Sequence, residues 1–296
     1  MTDFMAGASN DFLPHTHSSV TLTAKDGTTI GYQQYGQGPS VVIVHGTMSS
    51  AHNHMQLAEA LADQFTVYVM DRRGRGLSGP YSPNYSIQHE VDDLAAVLEK
   101  TGTQQIFGVS SGGIICLEAA LVLPTIQKVA IFEPPFFVDD PRAATQVLAR
   151  FEDEMAQGKV AAALVTAMKG AEMGPHGMPR WVLTGMTKLM MAYEARKGSS
   201  GYVPMRELAP TLHYDFELVV AMNEKLATFK NVQNDVLLLG GSKSPAYLKT
   251  ALDALENTLP HVTRTELGGL DHAASWNADR GGKPQPVAES LRKFFA

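Results

Sequence analysis

The chain has 296 residues, of which 44% are hydrophobic and 18% charged, and its net charge is -6 at pH 7. This length and apolar content suffice for one large domain, or a core with an insertion, around a sizeable hydrophobic interior. The acidic balance and the lack of a basic stripe argue against a nucleic-acid partner, because phosphate binding needs clustered lysines and arginines.

The N-terminal segment and the cysteine count indicate the compartment. MTDFMAGASN lacks the basic and apolar regions of a secretory signal, and no stretch approaches the ~18 uninterrupted apolar residues of a membrane helix. Cys116 is the only cysteine, so neither an intrachain disulfide nor a cysteine-rich metal site is available. We expect a cytoplasmic protein without membrane contact, with residues 1–18 as a loose tail.

The first half of the chain alternates between apolar strand-like runs and helix-like segments. SVTLTAKDGTTIGYQQYG predicts two strands joined by a hairpin at Asp26-Gly27. Four buried strands are then predicted in SVVIVHG, TVYVMDRRG, QQIFGV and QKVAIFE. A helix separates each from the next, and the second of these helices is expected to begin at Ser86 and end at Gly102. Strands that are apolar on both faces predict a mainly parallel sheet covered by helices on both sides.

The pattern changes after Pro135. Residues 136–229 lack buried-strand runs and predict several methionine-rich helices, which we call the cap. Alternation resumes with the strands NDVLLLGG and VTRTELGG, which bring the predicted sheet to eight strands. The chain therefore divides into a first core part at 19–135, the cap or lid at 136–229, and a second core part at 230–296. Methionine fills irregular cavities, so the cap suits a lid over an apolar substrate as well as plain helix packing.

A glycine-rich turn contains the first candidate catalytic residue. Gly108–Gly112 reads G-x-S-x-G between a predicted strand and a predicted helix, the context in which a nucleophile occupies a sharp, strained turn. Ser110 has the central position, and the backbone N–H of Ser111 is placed to bind an oxyanion. The alternative, a phosphate-binding turn, would need a G-x-G-x-x-G or G-x-x-x-x-G-K-[ST] pattern that this stretch lacks.

These motifs together resemble the α/β-hydrolase fold superfamily over about residues 20–296. The resemblance depends on VVIVHGTMSS, MDRRGRGLSG, GVSSGG and GGLDHAAS. It implies an eight-stranded, mainly parallel sheet with an inserted helical cap, and a serine hydrolase that needs no cofactor and no metal. It further implies that His45 is structural, that the N–H of Thr47 is the second oxyanion donor, and that His272, after the last strand, is the base that activates Ser110.

The acid of the triad is the point of departure from the superfamily. The superfamily usually places it after the seventh strand, but the loop from Gly240 to Pro245 has no Asp or Glu. Glu133 follows the neighbouring sixth strand, would reach the same histidine, and resembles the acid of zearalenone-type lactonases. Asp139 is an alternative, Asp271 a weaker one because its side chain should point away from His272, and a dyad without an acid stays open.

We therefore expect an ester or lactone hydrolase for a mainly apolar small molecule, with Met48, Phe136, Trp181 and Met190 as candidate substrate contacts. Asp71 and Arg72 are expected to tie loops together beneath the site. Carbon–carbon bond hydrolysis, a cofactor-free cyclisation or lyase step on a polyketide-like compound, and a non-hydrolytic binding protein on the same fold are the alternatives. A homodimer stays open.

Overall fold

The computed structural model of the protein describes residues 17–175, 177–198 and 201–296. Residues 1–16, most of the predicted loose tail, lie outside this range, and the first strand begins at Ser18. None of the described helices combines the length and the apolar character needed to cross a bilayer.

The described residues form one sheet of eight strands in the order β1-β2-β4-β3-β5-β6-β7-β8. The strands are β1 (Ser18–Thr23), β2 (Thr29–Tyr35), β3 (Ser40–Val44), β4 (Thr66–Met70), β5 (Gln105–Val109), β6 (Lys128–Phe132), β7 (Asp235–Gly241) and β8 (Val262–Leu267). β2 pairs antiparallel with β1 and with β4, whereas all the other pairs are parallel. The predicted eight-stranded, mainly parallel sheet is confirmed, as is the hairpin that joins β1 to β2.

Ten α-helices accompany the sheet in the described part of the chain. They are α1 (Met55–Leu61), α2 (Ile87–Thr101), α3 (Ser111–Val122), α4 (Ala143–Ala156), α5 (Val160–Gly170), α6 (Arg180–Lys197), α7 (Met205–Leu208), α8 (Thr211–Asn223), α9 (Ala246–Thr258) and α10 (Pro284–Phe295). Short 3-10 helices cover Ala51–His54, Leu226–Asn231 and Ala278–Arg280. Helix α2 has Ser86 as its N-cap and ends at Gly102, whose φ of 67° is left-handed, as the sequence predicts.

Helices cover both faces of the sheet because successive strand residues point to opposite sides. Val42 and Val44 of β3 belong to one buried hydrophobic cluster with residues of α2, α3 and α9, while Val41 and Ile43 of the same strand belong to a second cluster with residues of α1 and α10. Burial on both faces explains why the central strands are continuous apolar runs. Cys116 of α3 is fully buried, and its burial raises the pKa of the thiol, which keeps it protonated.

The segment between β6 and β7 is a helical insertion. Its described residues form α4 to α8 and the 3-10 helix Leu226–Asn231. Apolar side chains of this insertion, among them Phe151, Leu164 and Leu212, form a small hydrophobic cluster of their own. Met48, from the loop after β3, packs against that cluster. The insertion therefore has its own core and meets the sheet next to the loop that follows β3.

Candidate active site

Ser110 occupies the sharp turn between β5 and α3. Its φ is 54°, in the left-handed region that a residue with a side chain rarely adopts, so the turn is strained as the sequence predicts. Two hydrogen bonds hold it: the N–H of Ser110 donates to the carbonyl of Phe132 at 2.8 Å, and the N–H of Gly113 donates to the carbonyl of Ser110 at 2.8 Å. The side chain is half-buried at the N-terminus of α3.

Two glycines let neighbouring backbone approach this turn. A Cβ added to Gly46 would lie 2.7 Å from Cβ of Ser110 and 2.8 Å from the carbonyl oxygen of Val109. A Cβ on Gly112 would overlap the carbonyl of Val44. The loop after β3 and the start of α3 can therefore pack together only because neither residue has a side chain.

Glu133 and His272 are hydrogen-bonded to each other. Glu133 follows β6, is fully buried, and accepts a hydrogen bond from Nδ1 of His272 at 2.7 Å on Oε2. Its Oε1 accepts the backbone N–H of Gly241, the last residue of β7, at 2.6 Å. Because Nδ1 donates to the carboxylate, Nε2 of His272 has the lone pair and can accept a proton. The resemblance described above would place the acid itself after β7. Here the backbone at the end of β7 instead donates a hydrogen bond to the carboxylate of Glu133.

The other candidate acids lie apart from this pair. Asp139 is exposed in the loop before α4. Asp271 is also exposed, and its Oδ1 accepts the N–H of Ala273 at 3.1 Å. The structure therefore brings Glu133, and neither aspartate, to Nδ1 of His272.

Ser110 and His272 lie at the same edge of the sheet. The N–H of Ser110 is bonded to Phe132, which directly precedes the carboxylate that holds His272. The rings of Phe132 and His272 have their centroids 6.2 Å apart. The segments that follow β5, β6 and β8 thus place Ser110, Glu133 and His272 at one edge of the sheet, with the buried carboxylate of Glu133 hydrogen-bonded to His272. A hydroxyl, an imidazole and a carboxylate are the three groups that nucleophilic catalysis by serine uses.

The predicted oxyanion residues lie on two neighbouring segments, Thr47 on the loop after β3 and Ser111 at the start of α3. The hydroxyl oxygens of Thr47 and Ser111 are 3.2 Å apart. His45 holds the first loop: its Nε2 accepts the N–H of Arg72 at 3.1 Å, and its Nδ1 donates to the carbonyl of Gly46 at 2.9 Å. Burial, and then the nearby Arg75 and Arg72, lower the pKa of His45 well below its usual value. His45 is therefore neutral and bridges two loops, the structural position that the resemblance implies.

Three buried arginines of the DRRGRG run pack beneath the turn, each paired with carboxylates. Arg72 donates to Glu90 through Nε at 3.1 Å and Nη2 at 2.7 Å, and through Nη1 to Asp215 at 2.8 Å. Arg73 pairs with Asp93 and Asp26, and Arg75 pairs with Asp215. Asp71 accepts the N–H groups of Ala51 and Leu77. Asp71 and Arg72 thus link several segments beneath the site.

Sequence reasoning missed Asp215, which the cap brings to Arg72 across 143 residues of chain. A signal for part of this cluster was present. Glu90 and Asp93 lie one turn apart on the helix that also has the buried residues Val91 and Leu94, and acids on an apolar face need cationic partners. Nothing comparable in the sequence singles out Asp215.

The four candidate substrate contacts occupy different environments. Phe136 is fully buried, and its ring packs edge-to-face on Phe229 in the core beneath the sheet. Trp181 is 79% exposed on α6. Met48 is half-buried between the loop after β3 and the cap. Met190 is exposed and lines a cleft of about 710 Å³ together with His52, Tyr202 and Arg280.

A second cavity borders His272 directly. It has a volume of about 540 Å³, and the cap residues Glu172 and Met173 and the β7 loop residues Lys243 and Ser244 line it. No three His, Cys, Asp or Glu side chains in the described part of the chain are grouped to hold a metal ion.

The comparisons with known proteins agree with this architecture. The family model described as alpha/beta hydrolase fold matches residues 39–279. A solved structure of an alpha/beta hydrolase from Sphaerobacter thermophilus is similar to this chain, with a TM-score of 0.75 and 30% sequence identity. The similarity covers 94% of this chain and 100% of the other.

Two curated bacterial relatives match over shorter stretches. Hydrolase YraK of Bacillus subtilis is 32% identical over 116 residues, and the pimeloyl-[acyl-carrier protein] methyl ester esterase of Stenotrophomonas maltophilia is 34% identical over 104 residues. These stretches cover 38% and 35% of this chain, and 43% and 39% of the two relatives. The chain therefore matches less than half the length of each.

Proposed function

The chain belongs to the α/β-hydrolase fold family, and we propose that it is a serine hydrolase that cleaves an ester or lactone bond of a mainly apolar small molecule. The observation that carries the proposal is the buried carboxylate of Glu133 on Nδ1 of His272, at the same edge of the sheet as the strained Ser110. Similarity to a methyl ester esterase supports an ester carbonyl as the reacting group.

In the proposed reaction, Ser110 Oγ attacks the carbonyl carbon while Nε2 of His272 takes the hydroxyl proton. Glu133 keeps the imidazole in the tautomer that has Nε2 free, and stabilises the imidazolium that forms. Backbone N–H groups of Ser111 and Thr47 would bind the tetrahedral oxyanion. His272 then protonates the leaving alcohol, and a water molecule, deprotonated by the same nitrogen, releases the acid from Ser110.

The cap supports an apolar substrate. Met48 lies between the proposed oxyanion loop and the hydrophobic cluster of the cap, where an acyl or alkyl chain would pass. Methionine adapts to irregular shapes, which suits a substrate of varied outline. Because this hydrophobic cluster packs against Met48, substitutions of its apolar side chains should change which substrates are cleaved rather than the chemistry.

The experiment uses a fluorophosphonate probe and a panel of p-nitrophenyl esters and lactones. We expect the probe to label Ser110, as mapped by mass spectrometry, and p-nitrophenol release to be lost in Ser110→Ala. Release by Ser110→Ala at the wild-type rate would refute the proposal. Cleavage of a vinylogous diketone with no ester turnover would favour carbon–carbon bond hydrolysis, and binding of an apolar ligand without turnover would favour a binding protein.

A further inference from the structure

The hydroxyl of Ser111 has more partners than its position next to the proposed nucleophile requires. The residue is fully buried. Its Oγ lies 3.0 Å from Nη1 of Arg72, 3.2 Å from Oδ1 of Asp215 and 3.2 Å from Oγ1 of Thr47. All three partners lie outside the turn: Arg72 is on the loop after β4, Asp215 is on α8 of the cap, and Thr47 is on the loop after β3. The side chain of Ser111 therefore joins three segments of the chain.

The chemistry of the partners sets the direction of these hydrogen bonds. A guanidinium only donates and a carboxylate only accepts, so Ser111 Oγ accepts from Arg72 and gives its single proton to Asp215. Thr47 must then be the donor in its contact with Ser111. The hydrogen bonds run from Thr47 through Ser111 to Asp215, in a chain whose fixed end is the carboxylate.

That end is rigid. Asp215 is 2% exposed, and both of its oxygens are engaged, Oδ1 by Arg72 and Oδ2 by Arg75. Arg72 is fixed in turn by the two oxygens of Glu90. Two buried cations therefore face two buried carboxylates, and a charge in such a network cannot move without leaving another charge unpaired.

We propose that Asp215 is a positioning residue for the oxyanion hole, acting through Ser111 and Thr47. The inference rests on the proposed function. The two N–H groups that would hold the oxyanion belong to Ser111 and Thr47, and the chain of hydroxyls links both residues to one anchored carboxylate. Oxyanion donors work only when they are preorganised at hydrogen-bond distance from the developing charge. Because Asp215 lies on the cap, the cap itself takes part in building the hole.

The decisive variant is Ser111→Ala, which removes the link but keeps the backbone N–H and leaves Asp215 paired with both arginines. We expect kcat on a p-nitrophenyl ester to fall by about 10- to 100-fold, less than the ~10²- to 10³-fold loss of a whole oxyanion donor, with KM within about twofold. The matched control is Thr211→Val, which removes a hydroxyl that accepts from Arg75 in the same network without touching Ser111. The kcat of Thr211→Val should stay at the wild-type value. Its Tm should fall slightly, by about as much as the Tm of Ser111→Ala.

Two further variants test the chain as a unit. Asp215→Asn should lower kcat by about the same factor as Ser111→Ala, and the double variant should lose no more than either single one. If Asp215→Asn does not fold, the double variant Ser111→Ala/Thr47→Val takes its place. Its kcat should be no lower than that of Ser111→Ala alone. Wild-type kcat in folded Ser111→Ala, equal losses in Thr211→Val, or fully additive losses would each overturn the inference. Failure of the probe to label Ser110 in the wild type would instead overturn the proposed function.

Discussion

Glu133 Oε2 lies 2.7 Å from Nδ1 of His272, although the strands that precede the two residues, β6 and β8, are separated in the sheet by β7. The carboxylate is held across β7 because its other oxygen, Oε1, accepts a hydrogen bond from the backbone N–H of Gly241 at the end of that strand. Glu133 itself has a φ of 48°, so its backbone is strained in a way that the surrounding hydrogen bonds must compensate.

The first prediction concerns this pair. Glu133→Gln keeps the shape of the side chain but removes the charge, and its amide can present an N–H to His272 and so favour the wrong tautomer. We expect kcat to fall by about 10⁴-fold, the scale of losing a triad acid, with little change in KM. Steady-state kinetics of ester hydrolysis measures it. Asp139→Asn and Asp271→Asn are the matched controls, and a loss in either one equal to that in Glu133→Gln would reject the assignment.

The second prediction concerns the close approach at the turn. Gly46→Ala would place a methyl group 2.7 Å from Cβ of Ser110, so one of the two loops must move. Displacements of about 1 Å at a reacting group cost about 10²-fold in rate, and we expect a loss of kcat of that size. The control is Gly185→Ala on an exposed part of α6, where an added Cβ meets no atom of the described residues within 4 Å.

Gly185→Ala should leave kcat unchanged and stabilise the fold by about 0.5–1 kcal/mol, since glycine is the poorer helix former. Urea unfolding of both variants separates the two effects. If Gly46→Ala retained wild-type kcat, the tight packing of the β3 loop on Ser110 would have no catalytic consequence.

The third prediction compares two carboxylates on one arginine. Arg73 is fully buried and pairs with Asp93, which is buried, and with Asp26, which is 32% exposed. Asp93→Ala leaves a buried cation without its main partner and should cost about 3–5 kcal/mol of unfolding free energy. Asp26→Ala removes a solvent-screened partner and should cost about 1 kcal/mol or less. Equal costs in denaturant titrations would show that burial does not set the strength of these pairs.

The extent to which the sequence predicts this site depends on the range of each interaction. The turn at Ser110 is encoded within five consecutive residues, and the strands by local apolar runs, so both can be predicted. Glu133 follows from sheet geometry, because residues after neighbouring parallel strands meet at one edge. The contact of Asp215 with Ser111 has no such rule, since it depends on how the cap helices pack. The same holds for Phe136, which is fully buried with its ring packed on Phe229.

The fourth prediction concerns stability at mildly acidic pH. His54 is fully buried, and its Nδ1 donates to the carbonyl of Ser275 at 3.1 Å. Burial lowers the pKa of His54 to about 4, despite the opposing effect of that hydrogen bond. An unfolded histidine titrates near ~6.5. Between these two values the unfolded chain binds a proton that the folded chain does not.

The free energy of unfolding must therefore fall as the pH drops from about 6.5 towards 4. His54 alone should contribute a loss of ~2 kcal/mol between pH 7 and pH 5, from the ~1.4 kcal/mol that accompanies each unit of pKa difference. Buried His45, whose pKa is also lowered, acts in the same direction. His54→Gln removes one of the two groups, so urea unfolding at pH 7 and pH 5 should differ less in this variant than in the wild type. An unchanged difference would mean that His54 is protonated in the folded chain, although its buried Nε2 has no hydrogen-bond partner among the residues that the structure describes.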